Sequence, residues 1–166
     1  MKIALMVVTV IVALPVLAGI LFIGIGRERT WELIAGSADR GRLDLRNLER
    51  SPTANDALAC TAGLRDDCDF VLPAFTRQPA QLSQQIAARI EKSDALARRV
   101  DDGSAPEHLR YVAYSPTMRF PDLVNIEIVP LPGGGYGVLA YARAQLGKKD
   151  FGANRARLER YFQDFQ

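Results

Sequence analysis

The chain has 166 residues, 21 Lys and Arg against 19 Asp and Glu, a net charge of +2, and two cysteines. Near neutrality, with no basic stripe carrying interleaved aromatics, excludes an ordinary nucleic-acid binder and leaves nucleic acid off the list of partners. The length past the first 26 residues suits one domain with a core of useful size.

From Ile3 to Gly26 no side chain is charged and only Thr9 is distinctly polar. A bilayer core of about 30 Å needs roughly 20 apolar residues in a helix, so residues 1–26 are predicted to be an uncleaved transmembrane signal-anchor. The inner membrane is then a partner through residues 3–26. A competing reading is a signal peptide cut after Ala18, which would leave an apolar mature terminus from Gly19. Trp31, just past Arg27-Glu28-Arg29, fits a helix leaving the membrane at the headgroup level. Counting Lys and Arg on either side of the run keeps the domain in the cytoplasm. A short positive start, a long apolar segment and a folded domain argue for export. Cys60 and Cys68, a close pair in one polar stretch, suit a disulfide in an oxidising compartment. Two free thiols of a cytoplasmic protein are the other reading. Export is preferred, giving a single-pass inner-membrane protein with a periplasmic domain.

Residues 27–50 read as a juxtamembrane connector and residues 51–166 as one domain. From Ser51 to Phe75 the composition is that of turns and loops, with an exposed Asp66-Asp67-Cys68-Asp69. A helix is predicted from Pro79 to Lys92, since Pro is tolerated at the first helical position and Leu82, Ile86 and Ile90 recur every four residues. Strands are predicted at 96–100, 109–114, 123–129 and 136–143. The third alternates Val124, Ile126 and Ile128 with Asn125 and Glu127. Pro130 to Gly135 forms a hairpin turn, and Ala140 and Ala142 leave room for a helix. A last helix is predicted from Asp150, a good N-cap, to about Phe165, with Leu158, Phe162 and Phe165 in one stripe. The expected fold class is α+β: a transmembrane helix, then a two-layer sandwich of an antiparallel sheet with two helices.

The chemistry-bearing residues are sparse. His108 is the only histidine, and no nucleophile elbow is present. Cys60 with His108 is a conceivable nucleophile pair, less favoured than a disulfide. Cys60, Cys68, Asp69 and His108 match no zinc spacing, and no metal or other cofactor is expected. Gly133 to Gly135 lacks the Lys-Ser/Thr of a phosphate loop. Two polar groupings stand out: Arg119-Phe120-Pro121-Asp122, and Gly147-Lys-Lys-Asp150-Phe-Gly152-Ala-Asn154-Arg155. Lys148, Lys149 and Arg155 beside free helix N–H groups suit an anion, although Asp150 as cap occupies those donors. A purely structural reading makes Arg119, Asp122, Arg143 and Arg155 an ion-pair network around a loop organised by Asp150 and Asn154.

Asn55-Asp56-Ala57-Leu58-Ala59-Cys60 and the two groupings, in this order, resemble bacterial proteins grouped as domain of unknown function 1499. The likeness covers roughly residues 45–165. It implies a single α+β domain, often behind an N-terminal membrane segment, and no established activity. Some relatives carry a second cysteine, placed earlier than Cys68. Relatives often have serines beside the arginine matching Arg143, where this chain has Ala142 and Ala144.

The expected function is binding in the cell envelope, of a partner protein or of an anionic lipid or glycan, through Arg119, Asp122, Arg143, Asp150, Asn154 and Arg155. The arginines would contact the anion, while Asp150 and Asn154 hold the loop. One alternative is a hydrolase with Asp122 and Asp150 as acid and base. Another is a structural subunit of a membrane complex.

Overall fold

The computed structural model describes residues 2–163 and 165, with the side chains of residues 3–5 and 8 left aside. The chain divides into two compact units, one up to Ser37 and one from Ala38.

The first unit holds helices α1 (Lys2–Ile25) and α2 (Arg27–Ala35). Gly26 makes the corner between them with φ 95°, a left-handed value that favours glycine. The amide and hydroxyl of Thr30 both donate to the Gly26 carbonyl, at 2.9 and 3.0 Å. Phe22 and Trp31 meet edge to face across the corner, ring centres 5.5 Å apart. Among the described residues no single helix is long and apolar enough to cross a membrane. One bent pair, Thr9–Ile25 with Arg27–Ala35 at 105°, meets the requirement by length and composition.

The second unit is a six-stranded sheet with two helices. Its strands are β1 (Asp56–Thr61), β2 (Phe70–Leu72), β3 (Ala97–Arg99), β4 (His108–Tyr114), β5 (Pro121–Pro130) and β6 (Tyr136–Ala144), in the order β2-β1-β6-β5-β4-β3. The four later strands overlap the ranges predicted for them, 96–100, 109–114, 123–129 and 136–143. The sheet is mixed and not wholly antiparallel as expected, because β2 runs parallel to β1. Parallel neighbours usually need a crossover of a dozen or more residues. Here the short return is pinned locally: the Asp69 amide donates to the Leu58 carbonyl, and the Leu58 amide donates to the Asp69 carboxylate, both at 2.7 Å. Cys60 and Cys68 lie at disulfide distance beside it, Cα to Cα 6.0 Å.

Helices α3 (Pro79–Ser93) and α4 (Ala153–Phe162) cover one face. Leu82, Ile86 and Ile90 are fully buried there, each contributing roughly 1.5–3 kcal/mol by leaving water. The sheet meets them with small side chains, Ala57, Ala59, Ala140 and Ala142, together with Val124 and Ile126. Short residues let α4 pack directly on β1 and β6. The opposite face is also covered. Residues 38–50, read from sequence as connector, lie in the same compact unit. Leu45 seals a second core of Leu58, Cys60, Leu123, Leu139 and Tyr141. The Leu43 amide donates to the side-chain carbonyl of Asn125, which explains a polar residue buried in mid-strand.

Candidate functional site

Each of the six predicted residues has a definite place. Asp122 is the second residue of β5 and points into the helix-side layer. It is 7 % exposed, and Arg157 of α4 donates to it at 2.7 Å. Arg157, itself 6 % exposed, also donates to the side-chain carbonyl of Asn154 and lies 3.4 Å from Asp94. Tyr161 donates to Asp94 at 2.7 Å. One buried guanidinium thus gathers two carboxylates and an amide between α4, β5 and the end of α3, and the Tyr161 phenol is bonded to the second of those carboxylates. Burial pushes the Asp122 carboxyl up, and the Arg157 charge opposes this. Burial and the adjacent Asp94 carboxylate push the Tyr161 phenol up as well.

Asp150 and Asn154 organise the start of α4. The Asp150 carboxylate accepts from the Gly152 amide at 3.0 Å and from the Asn154 amide at 2.9 Å. It therefore caps the helix from two residues ahead of Gly152, the residue at the cap position. Fully buried Asn154 donates to the Asn55 carbonyl, tying α4 to the start of β1. Arg155 is exposed and pairs with Glu159 one turn on, at 2.9 Å. Such a surface pair is worth about 0.3–0.5 kcal/mol. Arg119 occupies the turn before β5 with φ 58°. One nitrogen of its guanidinium is buried without a hydrogen-bond partner.

Arg143 stands apart from these. Its neighbour in the β5–β6 ladder is Leu123, on the face away from α3 and α4. It is exposed, and among the described residues its guanidinium has no ion pair. The structure thus brings together Asp122 and Asn154 through Arg157, with Asp150 close behind. Arg119, Arg143 and Arg155 lie outside that group.

Arg157, Asp94 and Tyr161 are not among the candidate residues that the sequence offers, and Asn55 enters only as the first residue of a motif that carries the resemblance. A signal for Arg157 was present. Asn154, Arg157, Leu158 and Tyr161 follow the i, i+3, i+4, i+7 pattern of one helix face, so a charged residue sits inside the apolar stripe.

Around Arg143 the sheet opens into a cleft of about 330 Å³, lined by Arg40, Leu43, Leu48, Leu123, Tyr141 and Arg143 among others. Gln145 lines it too, accepting from the Arg40 guanidinium at 2.8 Å and donating to the Ala38 carbonyl. Tyr141 is 1 % exposed, and its buried hydroxyl makes no hydrogen bond of full geometry, with the Asp56 carboxylate the acceptor near it. An unmet buried polar group costs about 1–3 kcal/mol. Burial and the nearby Asp56 carboxylate push the Tyr141 phenol up, while Arg143 pulls it down. Asp56 itself is engaged by Arg50, at 3.0 and 3.2 Å. Among the described residues no group of three or more His, Cys, Asp or Glu is placed to hold a metal ion.

The family model described as "Protein of unknown function (DUF1499)" matches residues 47–165. That is well over half of the chain, and the chain belongs to this family. No curated protein and no solved structure matches it.

Proposed function

We propose that this family member is an inner-membrane protein of the cell envelope, anchored by its apolar N-terminal segment, whose periplasmic domain binds an anionic ligand. The observation that carries the binding reading is Arg143, an exposed arginine at the edge of a cleft with no ion pair among the described residues. Arginine presents a planar fork of donors suited to carboxylate or phosphate. The carboxylates are differently placed. Asp122 is engaged by Arg157 and Asp150 by two backbone amides, which favours binding over acid–base hydrolysis.

The anchor reading rests on α1, whose described apolar side chains are almost all exposed. Ile11, Ile20 and Ile23 are each more than 60 % exposed, as are Leu33 and Ile34 of α2. With α2, α1 forms the bent pair that meets the length and composition of a span, and such an apolar surface is at home in lipid. The sharp turn at Gly26, with Trp31 just after it, suits a short helix lying at the headgroup level. Export is supported by the cysteine pair, since disulfides persist in oxidising compartments.

Two experiments test this. In intact cells, a membrane-impermeant thiol reagent should label the protein only after reduction. Labelling that requires lysis refutes the periplasmic placement. For binding, the full chain in phosphatidylcholine nanodiscs is titrated calorimetrically with hexyl phosphate and inorganic phosphate. Saturable binding of at least one is expected, and its absence for both refutes the anion reading.

A further inference from the structure

We propose that the cleft on the sheet face away from α3 and α4 is the site for a small amphipathic anion, an oxyanion carrying a short apolar chain, with Arg143 and the Tyr141 hydroxyl on the charged end. This rests on the anion-binding reading above and gives it a place and a ligand class.

Four features carry it. Tyr141 and Arg143 are two residues apart on β6, so both side chains point to the same face. β6 is an inner strand, hydrogen-bonded to β1 and β5, which fixes their spacing. The Tyr141 hydroxyl is buried and makes no hydrogen bond of full geometry, with the Asp56 carboxylate the acceptor near it, so a ligand oxygen can compete for its proton. Arg40 is steadied through Gln145 and the Ala38 carbonyl, so a second guanidinium is held at the cleft before a ligand arrives.

The rest of the lining includes Leu43 and Leu48, from the segment before β1, and Leu123, the cross-strand neighbour of Arg143 on the same sheet face. A free inorganic anion would leave these leucines in water, whereas a ligand with a short chain would cover them. About 330 Å³ lies at the low end of the roughly 300–1,000 Å³ typical of small-molecule sites, so the ligand is small. Glu49 also lines the cleft. Its exposed carboxylate stands against two arginines and lowers affinity for an anion.

The test is calorimetric titration of the full chain in phosphatidylcholine nanodiscs with hexyl phosphate, inorganic phosphate and hexanol. Hexyl phosphate should bind best. Arg143→Gln should weaken it about tenfold or more, the scale for losing a charge-assisted hydrogen bond. Tyr141→Phe should weaken binding while leaving the melting temperature nearly unchanged, because it deletes a buried hydroxyl that makes no hydrogen bond of full geometry. A merely structural tyrosine would show the reverse. Arg155→Gln, at a surface pair on α4, should change nothing, and Glu49→Gln should tighten binding. Equal binding of inorganic phosphate overturns the amphipathic assignment, and equal binding of hexanol overturns the anionic one. Hexyl phosphate binding that ignores both Arg143→Gln and Tyr141→Phe overturns the cleft and leaves the anion reading standing. No saturable binding in any arm overturns both.

Discussion

Replacing Arg157 by alanine is the severest test of how the helix layer is held. The side chain is nearly inaccessible and faces Asp122 at 2.7 Å and Asp94 at 3.4 Å. Alanine would leave two carboxylates short of their cation and the Asn154 carbonyl short of its donor. Removing one partner of a buried pair costs about 3–5 kcal/mol, because the remaining charge stays buried. The unit from Ala38 onward has roughly 130 residues, so its unfolding entropy is about 0.27 kcal/mol/K and each kcal/mol moves the midpoint by about 3.7 °C. Arg157→Ala should therefore lower the melting temperature by about 11–18 °C, from the costs above. Near-ultraviolet circular dichroism of the full chain in nanodiscs reads this through the buried tyrosines. The double variant Arg157→Met with Asp122→Leu removes both charges and should recover about half of the loss, since apolar replacement of a whole buried pair is close to neutral. A shift below about 4 °C for Arg157→Ala, on the same conversion, or strict additivity in the double variant, would refute the reasoning.

Three further outcomes are expected. Reducing the Cys60–Cys68 pair, eight residues apart in sequence, should cost about 2.5 kcal/mol by the loop-closure relation, seen as a drop of about 9 °C with reductant; an unchanged midpoint would mean the thiols are not joined. Gly135→Ala should destabilise more than Gly134→Ala, by paired melting curves. Both residues have positive φ, but a Cβ at Gly135 would come within 2.7 Å of the Phe75 carbonyl oxygen while one at Gly134 meets nothing within 4 Å, so only the second is limited to the roughly 1–2 kcal/mol left-handed penalty. Acid should weaken the fold as pH falls below 3.8, the ordinary value for Asp56 and Asp101. Burial raises both carboxyls, yet hydrogen bonds from Arg50 and Arg99 respectively, and from backbone amides, outweigh it and hold them lower in the folded state. The unfolded chain then takes up protons first, so this stability is complete above 3.8 and lost as pH falls through the folded values. Asp56→Asn should flatten the acid limb of a pH–melting profile, and an unaltered limb would count against this.

Much of the later fold is legible in the residues themselves. α3 follows from Pro79 and a four-residue apolar repeat, and β5 follows from strict alternation, each a local signal. β1 is not legible. Asp56-Ala-Leu-Ala-Cys-Thr has neither β-branched alternation nor bulk, because it is packed on both faces by neighbours from distant sequence. Those neighbours are the helices on one side and residues 38–50 on the other. The same cover hides the role of Asn125, whose polarity reads as a solvated face until the Leu43 amide is seen bonded to it. Arg157 stands two residues after Arg155, a spacing that reads as surface charge. Its burial depends on Asp122 and Asp94 arriving from β5 and the end of α3.

The division of the candidate residues between the two faces follows from strand parity. Asp122 pairs with Ala144, and the next rung pairs Leu123 with Arg143. Asp122 and Arg143 are thus neighbours in the ladder, one register apart. In a strand that single step sends side chains to opposite sides of the sheet. The Arg119-Phe120-Pro121-Asp122 grouping and Arg143 can share a stretch of sheet without sharing a site. Asp122 turns toward α4, where Arg157 answers it and the pair locks the helix layer. Arg143 turns toward residues 38–50, where no carboxylate among the described residues forms an ion pair with it, although Glu49 lines the same cleft and Asp56 is its cross-strand partner on β1. A motif read as one charged network becomes two elements in different surroundings: Asp122 is locked to Arg157 under the helices, and Arg143 lies beside the buried Tyr141 hydroxyl on the other face, the pair on which the anion-binding proposal rests.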